Sequence, residues 1–181
     1  MSLDNIYYEL SLNHDDDYYI ALAEKEVLFV PVLVDFMVDN SSNRKWAQLI
    51  FEKISKTNPD LVYPYFNNIM ALIEKNRKFH SWSLWKIISN IVTRDYLNRW
   101  EFAEPLYIKS LSSDNLIEFS VACECAENII KSKPDRSDKI FEILKSVDSR
   151  TFIVNGEEST TGKLIAKEKV EKLMENLLDS E

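Results

Sequence analysis

Asn58-Pro59-Asp60-Leu61-Val62-Tyr63-Pro64-Tyr65 is the stretch on which the fold of this chain turns. Asparagine followed by proline marks a helix start, because a proline at the first helical position gives up an N–H that would have no partner there. Upstream, Trp46, Leu49, Ile50, Phe51 and Ile54 recur at helical spacing; downstream, Leu61, Val62, Phe66, Ile69, Leu72 and Ile73 do the same. The pattern predicts two amphipathic helices joined by a short polar turn. Pro64 stands well after Pro59, so it should kink the second helix or move its start.

Working outward, the same pattern repeats. Apolar spacing predicts a segment over about Asp4 to Leu12. Asp15 to Asp17 offer N-caps for a stretch through Leu22. Glu24 to Val38 is almost wholly apolar and reads as one buried helix, although its valines also suit a strand. Ser41-Ser42 should open the next helix. Ser81 to Arg94 is apolar around most of its circumference, and further helices fit 99–111, 114–132 and 136–147. A terminal helix over about 160–179 sets Ile165, Val170, Leu173, Met174 and Leu177 on one face. Glycine supports this picture by its scarcity. There are two in 181 residues and none before Gly156, so the chain has little use for positive-φ hairpin turns or phosphate-cradling loops. The expected fold is all-α, with about eight to ten helices.

A faint repeat runs through the pattern. Leu28-x-x-Pro31-x-Leu33, Leu61-x-x-Pro64-x-Phe66 and Phe102-x-x-Pro105-x-Tyr107 share a spacing, with prolines 33 and 41 residues apart. Antiparallel helix pairs at that period stack into a solenoid. The segment Asn58 to Tyr65, set between Ala47-x-Leu49-Ile50-x-x-x-Ile54 and Ile69-x-x-Leu72, resembles the turn and second helix of a HEAT (armadillo-type) repeat. The resemblance is best over 41–95 and extends over about 15–147. It departs from the family in lacking an evident Asp/Arg ladder and in placing the prolines in the second helices. It implies a right-handed α-solenoid of stacked antiparallel helix pairs. The array would occupy 15–147, a loop 148–159, and an amphipathic capping helix 160–181, within one helical-repeat domain spanning 1–181.

Net charge is −8 but unevenly spread: −8 over residues 1–40, +6 over 41–100 and −6 over 101–181. The acidic total argues against general affinity for nucleic acid or anionic membranes. The basic middle suits either packing against its acidic neighbours or an acidic partner. Cys123 and Cys125, two apart, point to opposite sides of a helix and cannot bridge, which fits a reducing, cytoplasmic setting. The longest apolar run, Val27 to Val38, is far short of the roughly 20 residues needed to span a bilayer.

Several motifs fail as chemistry. Gly156 and Gly162 have five residues between them rather than the four of a phosphate-binding loop, and Leu164 follows Lys163 where a hydroxyl is required. That segment reads as a turn, with Thr160 or Thr161 capping the terminal helix. His14-Asp15-Asp16-Asp17 lacks the tight turn and spaced glutamate of a calcium loop. With His14 and His80 alone, no three-histidine zinc site exists. Lys75-Asn76-Arg77-Lys78, near Trp82, Trp85 and Trp100, is the sole basic–aromatic cluster.

No catalytic, cofactor or metal residues are assigned. The role that the family resemblance implies is non-enzymatic binding of another protein. Tyr63, Asn67 and Glu74 are the contact candidates, since they fall opposite Val62, Phe66, Ile69 and Ile73, with Arg77 and Lys78 at the rim. Two alternatives stand beside it: a nucleic-acid binder acting through the basic middle, and an enzyme whose site assembles only in three dimensions. The terminal helix must cover its apolar face by capping the array or by forming a homodimer.

Overall fold

A computed structural model describes residues 2–12, 14–38, 44–75 and 83–179. Of these residues, 82 % are helical, so the chain is all-α. Helices α1 (Leu3–Ser11) and α2 (Asp16–Lys25) open the chain, capped by Ser2 and Asp15, whose side chains accept from the amides of Asn5 and Tyr18. The buried stretch that follows is not one helix with its upstream neighbour. The chain breaks at Glu26 to Leu28, and α3 (Phe29–Val38) starts anew. Pro31 explains the break: it lies in the first turn of α3, where its missing N–H costs nothing. A continuous helix would instead have lost a bond to Val27 and clashed with its carbonyl.

Helix α4 (Arg44–Thr57) follows, and the Ser41-Ser42 start predicted for it lies outside the described residues. Pro59 takes the first position of the one-turn α5 (Pro59–Val62), although the Asn58 side chain makes no capping bond. Pro64 moves the helix start as expected. Residues Tyr63–Tyr65 tighten into a 3₁₀ turn, and α6 (Phe66–Lys75) begins after it. Then come α7 (Leu84–Ile91), α8 (Trp100–Leu111), α9 (Leu116–Ser132) and α10 (Ser137–Lys145).

The segment expected as a loop contains a small hairpin. Strands β1 (Ile153–Val154) and β2 (Glu157–Glu158) pair antiparallel around Asn155 and Gly156, with φ of 54° and 89°. Positive φ at both central residues is the hairpin turn that Asn-Gly favours. Ser159, not Thr160 or Thr161, caps the last helix, α11 (Thr160–Leu178), accepting from Gly162 N at 2.9 Å.

Four helices form a row: α4 packs on α7, α7 on α9, and α9 on α11. Helices α2 and α3 pack on α4, α6 packs on α7, and α8 and α10 pack on α9. Polar side chains cross the row at offsets of 35 to 38 residues over α4, α7 and α9, and of 45 and 49 from α9 to α11. Gln48 bonds Ser83, and Asn90 Nδ2 donates to Ser55 Oγ at 2.9 Å, both 35 residues apart. Asn128 donates to Asn90 at 3.3 Å, 38 residues apart. Lys86 pairs with Glu124 at 3.2 Å across the same offset, and Lys169 of α11 pairs with that glutamate at 2.6 Å. This ladder is amide and Lys–Glu rather than Asp/Arg. The prolines sit in α3, before α6 and in α8, which precede and pack on α4, α7 and α9. Pro59 and its one-turn helix also pack back on α4, so Pro64 follows a segment held by the helix before it as well as preceding α6.

One apolar core runs from Ile6 to Leu173, with Trp85, Trp100 and Tyr107 fully buried. Helix α11 covers α9 with Ala166, Val170 and Leu173, while Ile165 is 38 % exposed. Of the predicted face, Val170 and Leu173 are buried and Met174 and Leu177 pack against the core, while Ile165 turns outward and Ala166 is buried instead.

Candidate docking groove

The turn between α7 and α8, Asp95-Tyr96-Leu97-Asn98-Arg99, is organised by one carboxylate. Asp95, 1 % exposed at its side chain, accepts four bonds. Tyr63 Oη and Arg99 N donate to Oδ1, both at 2.7 Å. Trp100 N donates to Oδ2 at 3.0 Å, and Lys133 Nζ lies 2.9 Å from the same oxygen. Burial works against the charge of Asp95, but the bonds from Lys133, Tyr63, Trp100 and Arg99 outweigh it and hold the carboxyl below its ordinary pKa. In effect Asp95 caps α8 from four residues before Arg99, in place of the Arg99 side chain.

Tyr63 is the second fixed point. Its hydroxyl accepts from Leu97 N at 3.2 Å while donating to Asp95. Burial, then the bond to Asp95, push its pKa up to about 12. The Arg99 guanidinium lies 5.1 Å from the centre of the Tyr63 ring and donates through Nη1 to the carbonyls of Tyr63 and Pro64 at 3.2 and 3.4 Å. Asn98 takes φ of 53°, the left-handed conformation that asparagine tolerates.

This anchored turn holds apolar side chains in water. Tyr96 is 69 %, Leu97 56 % and Phe102 81 % exposed. Leu97, Arg99 and Phe102 face Phe66, Asn67, Met70, Ala71 and Glu74 of α6 across a groove of about 430 Å³.

Two of the sequence-predicted contacts, Asn67 and Glu74, therefore line one groove. Tyr63 does not, because it is fully buried. The wheel that put it beside Asn67 assumed 100° per residue throughout, whereas the 3₁₀ turn at Tyr63–Tyr65 advances about 120° per residue and swings the ring into the core. Arg77 and Lys78 lie outside the described residues, as do His80 and Trp82. Sequence reasoning missed Asp95, Leu97, Arg99 and Phe102. The signals were an aspartate ahead of a helix, and a phenylalanine off the stripe formed by Trp100, Ala103 and Tyr107.

The His14–Asp17 stretch pairs within the fold. His14 Nε2 lies 3.1 Å from Glu9 Oε2, and its ring stacks on Tyr18 at 3.8 Å. Asp15 caps α2 and Asp16 pairs with Lys53. Among the described residues, no three His, Cys, Asp or Glu side chains converge on a metal-sized space. Both thiols are free and buried, and burial pushes each up to about 12. Among the described residues, no helix is long and apolar enough to cross a membrane. Comparison with protein-family models, curated proteins and solved structures gives no match.

Proposed function

We propose that this chain is a non-enzymatic protein-binding scaffold, built as a HEAT-like right-handed α-solenoid, that docks a partner polypeptide in the groove between α6 and the start of α8. The observation that carries this reading is the pairing of exposure with rigidity. Leu97, on a turn fixed by a buried, four-bonded carboxylate, and Phe102, in the first turn of α8 that the same carboxylate caps, both stand in solvent. An apolar side chain held out of the core loses burial energy, and a preformed apolar surface lowers the ordering cost of binding. The repeat geometry is supported by the row α4, α7, α9, α11 and by the offsets of 35 and 38 residues over its first three helices, which suit one stacked pair after another.

A photo-crosslinking amino acid at position 102 tests the role. Irradiation in cell extract should give a discrete polypeptide adduct, absent when the probe stands at Lys139, an exposed position of α10. A nucleic-acid adduct at position 102, or none there, would contradict the reading.

A further inference from the structure

The charge layout of the groove specifies the kind of segment that fills it; this inference rests on the protein-docking role proposed above. Arg99 stands where α6 begins, since its Nη1 is fixed on the carbonyls of Tyr63 and Pro64. A guanidinium carries five N–H donors, and among the described residues no carboxylate lies within ion-pair distance of this one. Glu74 stands at the other end, one residue before α6 closes at Lys75, and among the described residues it has neither an ion-pair nor a hydrogen-bond partner. From Phe66 to Glu74 the axis of α6 runs about 12 Å, at 1.5 Å per residue. Met70, Ala71, Leu97 and Phe102 line the space between the two charges. The groove is thus a pinned cation, an apolar floor and a separate anion, and among the described residues no opposite charge pairs with either end. A guanidinium already held by two carbonyls gives up little further freedom when a carboxylate arrives.

We infer that the groove takes an amphipathic helix of a partner protein, with a carboxylate for Arg99 and a cationic residue for Glu74 seven positions apart, and two apolar side chains between them. Length selects the helix over an extended segment. About 10 Å separates positions i and i+7 of a helix, and i+3 and i+4 share their face. That places two apolar side chains over the floor. An extended chain covers about 13 Å in four residues and turns only its middle side chain to the same face, which leaves most of the floor wet. Met70 suits a helix face of variable shape, because its thioether side chain adapts to irregular surfaces.

Two synthetic helical peptides test this against the full chain. Both carry leucines at i+3 and i+4; one has Glu at i and Lys at i+7, the other Glu at both. Affinity is read by fluorescence anisotropy and location by the methyl resonance of Met70. The wild-type chain should bind the mixed-charge peptide at least fivefold tighter, with Met70 shifted. Glu74→Lys, at an exposed helix position, should reverse the preference, and Phe102→Ser should weaken both peptides at least fivefold. Equal affinities, a preference that Glu74→Lys leaves unchanged, or binding that does not shift Met70 would each overturn the inference. Because the peptides are defined, the result is separable from the crosslinking test. An adduct at position 102 together with no charge preference would leave the docking role standing and remove the helix.

Discussion

Asp95 is the residue on which the groove depends. Asp95→Asn keeps the shape but leaves Lys133, 17 % exposed at its side chain, beside a neutral amide. Removing one partner of a buried charge pair costs about 3 kcal/mol, so urea denaturation should show a loss of that order. The acid limb checks the charge itself. A carboxyl held below its ordinary value contributes stability above the unfolded pKa of about 3.9 and loses it as pH falls through the folded pKa. The wild type should therefore lose stability more steeply in acid than Asp95→Asn, measured by melting from about pH 5 down to about pH 2. The alkaline side has the opposite sign. Cys123, Cys125 and Tyr63 are all raised to about 12 in the fold. They keep their protons while the unfolded chain loses them, so stability should decline as pH climbs from the ordinary thiol range towards those values. The same burial should leave both thiols unreactive towards a thiol reagent at neutral pH until the chain is unfolded; rapid labelling of the native protein would contradict it.

At the scale of single elements, prolines and caps set the boundaries. Pro31, Pro59 and Pro64 each lie at or beside a helix start. Periodicity located most helices to within a few residues, including α8, α9 and α11. What it blurred were places where a proline resets the phase. Glu24 to Val38 split at Glu26 to Leu28, and the 3₁₀ turn before α6 buried Tyr63. The Asn155-Gly156 hairpin falls in the segment expected as loop, because two residues on each side hold too little alternation to show a strand. Its φ of 89° makes Gly156→Ala strained, and a loss of about 1 kcal/mol is expected. Gly162→Ala is a different case: its added Cβ would meet Val154 Cγ2 at 3.1 Å and Ser159 Cβ at 3.2 Å, so it should press the hairpin away from α11. Ser159→Ala should cost about 1 kcal/mol through the lost cap. Thermal melts of the three variants check these values.

Across the whole molecule, the charge imbalance of the sequence becomes pairing between segments. Lys53 of the basic middle meets Asp16, and Lys86 meets Glu124, which Lys169 also reaches. Asp95, an acid of that middle, is matched by Lys133 from the acidic end. Sequence charge marks the Lys53–Asp16 and Lys86–Glu124 pairs but not which surface stays open, since an exposed groove depends on where the chain from Asp95 to Phe102 falls against α6. A preformed docking surface requires this turn to be a rigid wall rather than a floppy connection. Amide hydrogen exchange at Leu97, Arg99 and Trp100 measures that directly, because these amides donate to Tyr63 Oη and to the two oxygens of Asp95. They should exchange as slowly as amides in the middle of α7, and Asp95→Asn should release them. Exchange in the wild type at the rate of an unstructured chain would contradict a preformed docking surface.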